Sequence, residues 1–100
     1  MIHHISIDAQ NPLQVASVLA EIWKGKVYQF FIPGSFLVIP FDSDGTHVAV
    51  LKQGDVWTPG NDVESAKIRP ASPANFVSAH AAISVPSTTS EIEQIGRREG

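Results

Sequence analysis

His4-Ile5-Ser6-Ile7-Asp8, followed two residues later by Asn11-Pro12-Leu13, reads as a strand that turns directly into a helix. Ile5 and Ile7 alternate with Ser6 and Asp8 at a period of two, so residues 2–8 are predicted to form a strand with one apolar and one polar face. Asn11 is placed to cap the helix, with Pro12 at its first position and Gln14 at N3, where its side chain can return to the cap backbone. Val15, Val18, Leu19 and Ile22 recur at three- and four-residue intervals as one apolar stripe. Gly25 stands where a left-handed residue would end the helix, which is therefore predicted over residues 12–24. Each aliphatic group of the stripe gains about 1.5 to 3 kcal/mol on burial before entropy is subtracted, so the helix must meet a sheet or another helix.

Three runs rich in aromatic and β-branched residues follow, at 27–32, 35–40 and 46–51. Pro33-Gly34 separates the first two and Asp42-Ser43-Asp44-Gly45 the second two, both turn-forming sequences that connect antiparallel neighbours. The order is βαβββ over residues 1–60. Proline, glycine and mixed charge dominate what comes next, and residues 61–77 are read as a loop or linker. Residues 78–85 are predicted to return to a strand and residues 88–98 to a helix, with Thr88 and Glu91 as a capping box and Gly100 at its end.

The late segment His80-Ala81-Ala82-Ile83-Ser84 aligns without a gap on His4-Ile5-Ser6-Ile7-Asp8, and each leads into a capped helix. Residues 78–100 therefore read as the start of a second copy of the opening unit within one structural domain. Applied to each strand separately, alternation puts His4, Ser6 and Asp8 opposite the face of Ile5 and Ile7, and His80, Ala82 and Ser84 opposite Ala81, Ile83 and Val85. The two histidines fall on equivalent sides.

With these segments, and with Gly45-Thr46-His47-Val48-Ala49-Val50 and Ser84-Val85-Pro86 beside them, the chain resembles the vicinal oxygen chelate superfamily, the glyoxalase, bleomycin-resistance and extradiol-dioxygenase-like proteins. The resemblance covers residues 1–60 and, by the repeat, 79–100. It implies an α+β fold in which paired βαβββ units curve a mixed, mainly antiparallel sheet around a cavity, with the helices outside. It also implies a divalent metal, such as Zn, Fe, Ni or Mn, held by histidines of the first strands and glutamates of the last. His4 and His80 match the two histidine positions. The glutamate expected in the fourth strand falls at Ala49, which has no donor atom.

His47 shares a strand face with Ala49 and is the candidate third ligand, since a metalloenzyme centre needs about three protein donors and an open position. Phe30, with Tyr28, Phe31 and Phe36, is a candidate apolar wall for a ligand, or else core. Trp57, in a loop flanked by glycine and proline, is a candidate ligand contact, or else a loop anchor or part of an interface. The candidate ligand-binding set is thus His4, His47, His80, Phe30 and Trp57.

Composition narrows the function classes. Of 100 residues 43% are hydrophobic and 17% charged, which argues for a packed globular domain, and the chain is long enough to bury a core. With seven Lys and Arg residues scattered along it and a net charge of −3, it carries no basic stripe for nucleic acid. It has no cysteine, which excludes disulfides, thiolate nucleophiles and Cys-based zinc sites. No phosphate loop, nucleophile elbow or H-E-x-x-H helix is present. With neither a basic-then-apolar leader nor an apolar run of membrane-spanning length, a cytoplasmic location is expected.

Three expectations follow. The first is a glyoxalase-like small-molecule-binding protein acting as a metal-dependent lyase, isomerase or dioxygenase. The second, favoured by Ala49, is a non-catalytic ligand-sequestering protein with no metal. The third is an interaction module. The second unit supplies only a strand and a helix, so its sheet would have open edges, and a homodimer is expected to cover them.

Overall fold

The computed structural model describes residues 2–40, 45–72 and 78–100. Its elements run β1 (His4–Ala9), α1 (Pro12–Trp23), β2 (Lys26–Gln29), β3 (Phe36–Ile39), β4 (His47–Lys52), β5 (Asp55–Thr58), β6 (Lys67–Pro70) and α2 (Thr89–Glu99). The βαβββ order is present, in a sheet with strand order β1-β4-β3-β2. β1 lies parallel to β4, whereas β4, β3 and β2 are mutually antiparallel. The sheet is mixed and does not close.

Local chemistry sets these boundaries. The Asn11 side chain accepts the Gln14 N–H at 3.2 Å, and Pro12 takes the first helical turn, where its missing N–H costs nothing. The α1 stop differs from expectation: Lys24, not Gly25, adopts the left-handed conformation, with φ 54°. The Lys24 N–H then reaches Glu21 O at 3.3 Å and the Gly25 N–H reaches Ala20 O at 2.8 Å, a Schellman arrangement. Gly25 is required for a different reason: a Cβ there would lie 2.0 Å from Ile39 O. Between β2 and β3, Pro33 and Gly34 form the expected turn, closed by Ser35 N–H to Ile32 O at 3.1 Å. The turn expected at Asp42, Ser43 and Asp44 lies outside the described residues.

The core lies between α1 and one sheet face. Ala16 and Ala20 of α1 bury against Val38, Val48 and Val50, with Ile5, Val27, Phe36, Leu19 and Trp23 packed around them. Small residues at Ala16 and Ala20 let the helix axis approach the strands closely. The apolar surface of α1 is thereby split: Ala16, Ala20 and Trp23 serve the sheet, while Val18 borders a groove that Glu99 also lines.

α2 lies against α1. Thr88 and Glu91 make both bonds of the capping box, and Gly100 ends the helix as expected. Ile95 is buried, Lys24 pairs with Glu91 at 2.8 Å, and Arg98 grips Glu21 through two hydrogen bonds at 2.9 and 2.5 Å. The Ser87 hydroxyl donates to Ile22 O at the end of α1.

Two expectations are corrected. The region read as loop or linker contains β6, which pairs antiparallel with β5 and sets Trp57 against Ile68. Short apolar pieces suffice for a hairpin when a cross-strand aromatic–aliphatic pair joins them. Its connection is tied by Asn61, whose side chain accepts the N–H groups of Val63 and Glu64, both at 2.8 Å.

The second correction concerns the internal repeat. Residues 78–85 form no strand, and β4 is the one neighbour of β1 among the described residues. Alanine at 79, 81 and 82 gives the segment weak β propensity and little side chain to pack. Of the supposed second βα start, the helix is present and the strand is not. No helix among the described residues is long and apolar enough to cross a membrane.

Candidate functional site

Residues 5, 7 and 9 of β1 share the α1 side of the sheet with Val48 and Val50, so His4, Ser6 and Asp8 share the other face with His47, Ala49 and Leu51. The parallel register sets His4 beside His47 at the heads of both strands. Their rings stack, with centroids 4.7 Å apart and planes within 10° of parallel, a separation close to the spacing of neighbouring strands. The His47 Nδ1–H donates to Gly45 O at 3.0 Å. A carbonyl only accepts, so the contact needs the Nδ1–H tautomer, in which Nε2 is an acceptor.

The stacked pair borders a pocket of about 290 Å³. Ile2, Ile5, Trp23 and Val48 form its apolar floor, Thr46 adds a hydroxyl, and residues 81–84 form the far wall. The pocket thus sits at the end of the sheet where β1 and β4 begin and α1 ends. Its size falls near the lower limit of small-molecule sites, roughly 300 Å³, and its character is theirs: mostly apolar, with a few polar groups.

His80 borders a second, neighbouring hollow of about 210 Å³, with Ile5, Ser6, Ile7, Ala79 and Ala81. Its Nδ1–H donates to Ser78 O at 3.2 Å, the same tautomer-fixing contact that His47 makes. Phe30 and Trp57 are elsewhere. Phe30 packs on Phe31, with centroids 4.5 Å apart, at the β2–β3 turn, and Trp57 is half-exposed on the β5–β6 hairpin. Of the five candidate residues, the structure brings His4 and His47 together, sets His80 in the adjoining hollow, and leaves Phe30 and Trp57 outside the pocket.

Sequence reasoning missed Trp23, Ile2 and Thr46 as pocket residues. Trp23 was legible in principle, since it continues the spacing of Ala16 and Ala20 and so faces the sheet; Ile2 and Thr46 become neighbours only through β1–β4 pairing.

A metal centre is what the resemblance implies, and the donors do not fit one. A metal lies in the plane of each imidazole at about 2.0 to 2.1 Å from nitrogen, whereas stacked rings send their lone pairs side by side. The strand position facing Ser6 is Ala49, with no donor, and no group of three or more His, Asp or Glu residues with metal-holding geometry occurs among the described residues. Compared with family models, with curated proteins and with solved structures, the chain matches none.

Proposed function

We propose that this chain is a glyoxalase-like small-molecule-binding domain of the ligand-sequestering kind, whose ligand occupies the pocket at the heads of β1 and β4. One observation carries the proposal: a stacked pair of imidazoles, His4 and His47, borders a mostly apolar pocket that Trp23 also lines. Such a pair offers a flat polarisable surface and, at His47, a hydrogen-bond acceptor. The fitting ligand is a small planar molecule, about one ring in size, with a hydroxyl or amide donor at its rim.

The βαβββ order supports placing the domain with glyoxalase-like folds, and Ala49 supports a cavity that works without a metal. Trp23 and Trp57 are the two tryptophans of the chain, and Trp57 lies outside the pocket, so Trp57→Phe makes Trp23 the sole indole reporter. Titration of that variant with phenol, benzamide and benzoate is expected to change Trp23 emission saturably for at least one of them. His47→Ala should weaken that binding about tenfold or more, the loss of one hydrogen bond and one stacked contact. Emission that stays flat with all three probes, or responds equally in His47→Ala, would remove the proposal.

A further inference from the structure

β1 is an edge strand, and its free edge has a definite chemical pattern. The His47 N–H bonds to His3 O and the Gln53 N–H to Ala9 O, so the odd residues of β1 turn their backbone groups toward β4. The N–H and C=O groups of His4, Ser6 and Asp8 therefore point outward, and no strand takes them among the described residues. Open edges of this kind are normally paired, bulged or covered.

Residues 79–84 lie alongside this edge. Residues 79–81 border one hollow together with residues 5–7, and residues 81–84 border the pocket together with Ile2, His4 and Ile5. The segment thus runs antiparallel to β1. Ile5 and Ala81 line both hollows, which makes them the point about which the two runs lie side by side. All of residues 78–84 are exposed, and the segment is tethered at its far end by Ser87 on Ile22 and by the α2 cap.

We infer that residues 78–84 are a strap that closes on β1 as a fifth, antiparallel strand, in the register that pairs His80 with Ser6 and Ala82 with His4. In that register both partners present outward backbone groups, so the pairs Ser6–His80 and His4–Ala82 each exchange two N–H···O bonds. Alternation then settles the side chains without conflict. Ala79, Ala81 and Ile83 take the α1 side, where Ile83, 44% exposed in the open strap, gains cover. His80 joins His4 and His47 on the opposite face.

Closure has a functional consequence that rests on the ligand-pocket proposal above. The pocket exists because the strap stands off from β1; drawing Ala81 and Ile83 inward fills that space. An occupant of the pocket holds the strap open, and the closed strap excludes an occupant. The strand pairing itself does not depend on the pocket being a ligand site, so the two can fail separately.

The chain has no cysteine, which gives a clean background for cross-linking. Ile7 faces Ala79 as a non-hydrogen-bonded pair in this register, so Ile7→Cys with Ala79→Cys places both Cβ atoms on one face at a separation a disulfide spans, whereas Ile7→Cys with His80→Cys places them on opposite faces. The first pair is expected to oxidise within the monomer about tenfold or more faster than the second. Equal rates for the two pairs would show a segment without register and overturn the inference. A disulfide joining two molecules through the Ile7→Cys position of each would give the edge to a second copy and overturn it equally. In the unmodified protein, amide exchange provides the parallel measurement: the N–H groups of His80 and Ala82 should exchange more slowly than those of Ala81 and Ile83. Uniform exchange across the segment would contradict closure.

Discussion

Gly25 is where a single missing atom determines how the helix meets the sheet. Its Cα lies so close to β3 that an added methyl would fall 2.0 Å from Ile39 O and 2.9 Å from the Pro40 Cα. Backbone cannot yield there without pulling β3 away from the C-terminus of α1. Gly25→Ala is therefore expected to cost about 1 to 3 kcal/mol in chemical denaturation, the range for overpacking a filled site. A smaller change would mean that the α1–β2 connection is looser than described. Where α1 would stop was legible in the sequence to within a residue; which residue turns left-handed was not, because Lys24 is held there by two backbone bonds and its pairing with Glu91. Similarly, alternation placed His4 and His47 each on a face, but the stacking of their rings needed the parallel β1–β4 register, which no local pattern encodes.

At the scale of elements, α2 is held by a capping box and two ion pairs, so its docking depends on pH. Hydrogen bonds from Lys24 and from Thr88 hold the Glu91 carboxyl down at about 2, from an ordinary value of 4.5. The Arg98 guanidinium, hydrogen-bonded to Glu21, holds that carboxyl below its ordinary value as well. Both carboxyls are thus depressed in the folded state, and the stabilisation they give is present above the unfolded value of 4.5 and is lost as the pH falls toward about 2. Backbone amide and Ile95 methyl resonances should report loosening of α2 across that window, before α1 and the sheet respond. The effect should shrink in high salt, because all four charged groups reach solvent. Resonances of α2 that hold unchanged down to pH 2 would contradict this account of its docking.

Both helices were legible because caps and apolar spacing agree at each. β5 and β6 were not, since their stabilisation comes from Trp57 meeting Ile68 across the hairpin rather than from either run alone. Residues 78–85 erred in the opposite direction: alternation indicated a strand, but alternation says nothing of how weakly three alanines hold a neighbour.

Over the whole molecule, one sheet face packs on α1, and the β5–β6 hairpin packs mainly on itself. The radius of gyration is 14.7 Å, larger than the roughly 13 Å of a compact chain of this length, as a hairpin standing off from the core requires. The pocket lies where three parts meet: the heads of β1 and β4, the end of α1, and the strap. Its site chemistry was only partly visible in advance, because the wall at 81–84 and the floor at Ile2 and Trp23 belong to segments remote in sequence. His4 and His47 were named from residue type and strand face; that they form a stacked surface rather than a chelate is a property of the assembled sheet.

The four histidines make that surface directly observable, since His3 and His80 do not line the pocket and serve as internal references. Ring carbon–proton correlation spectra, recorded while phenol, benzamide and benzoate are added in turn, resolve all four imidazoles at once. The expected result is that His4 and His47 shift together and saturate at the same concentration of at least one probe, while the direct response of His3 stays small. If every ring stays still, or His4 and His47 respond at different concentrations, the two imidazoles do not share one ligand surface.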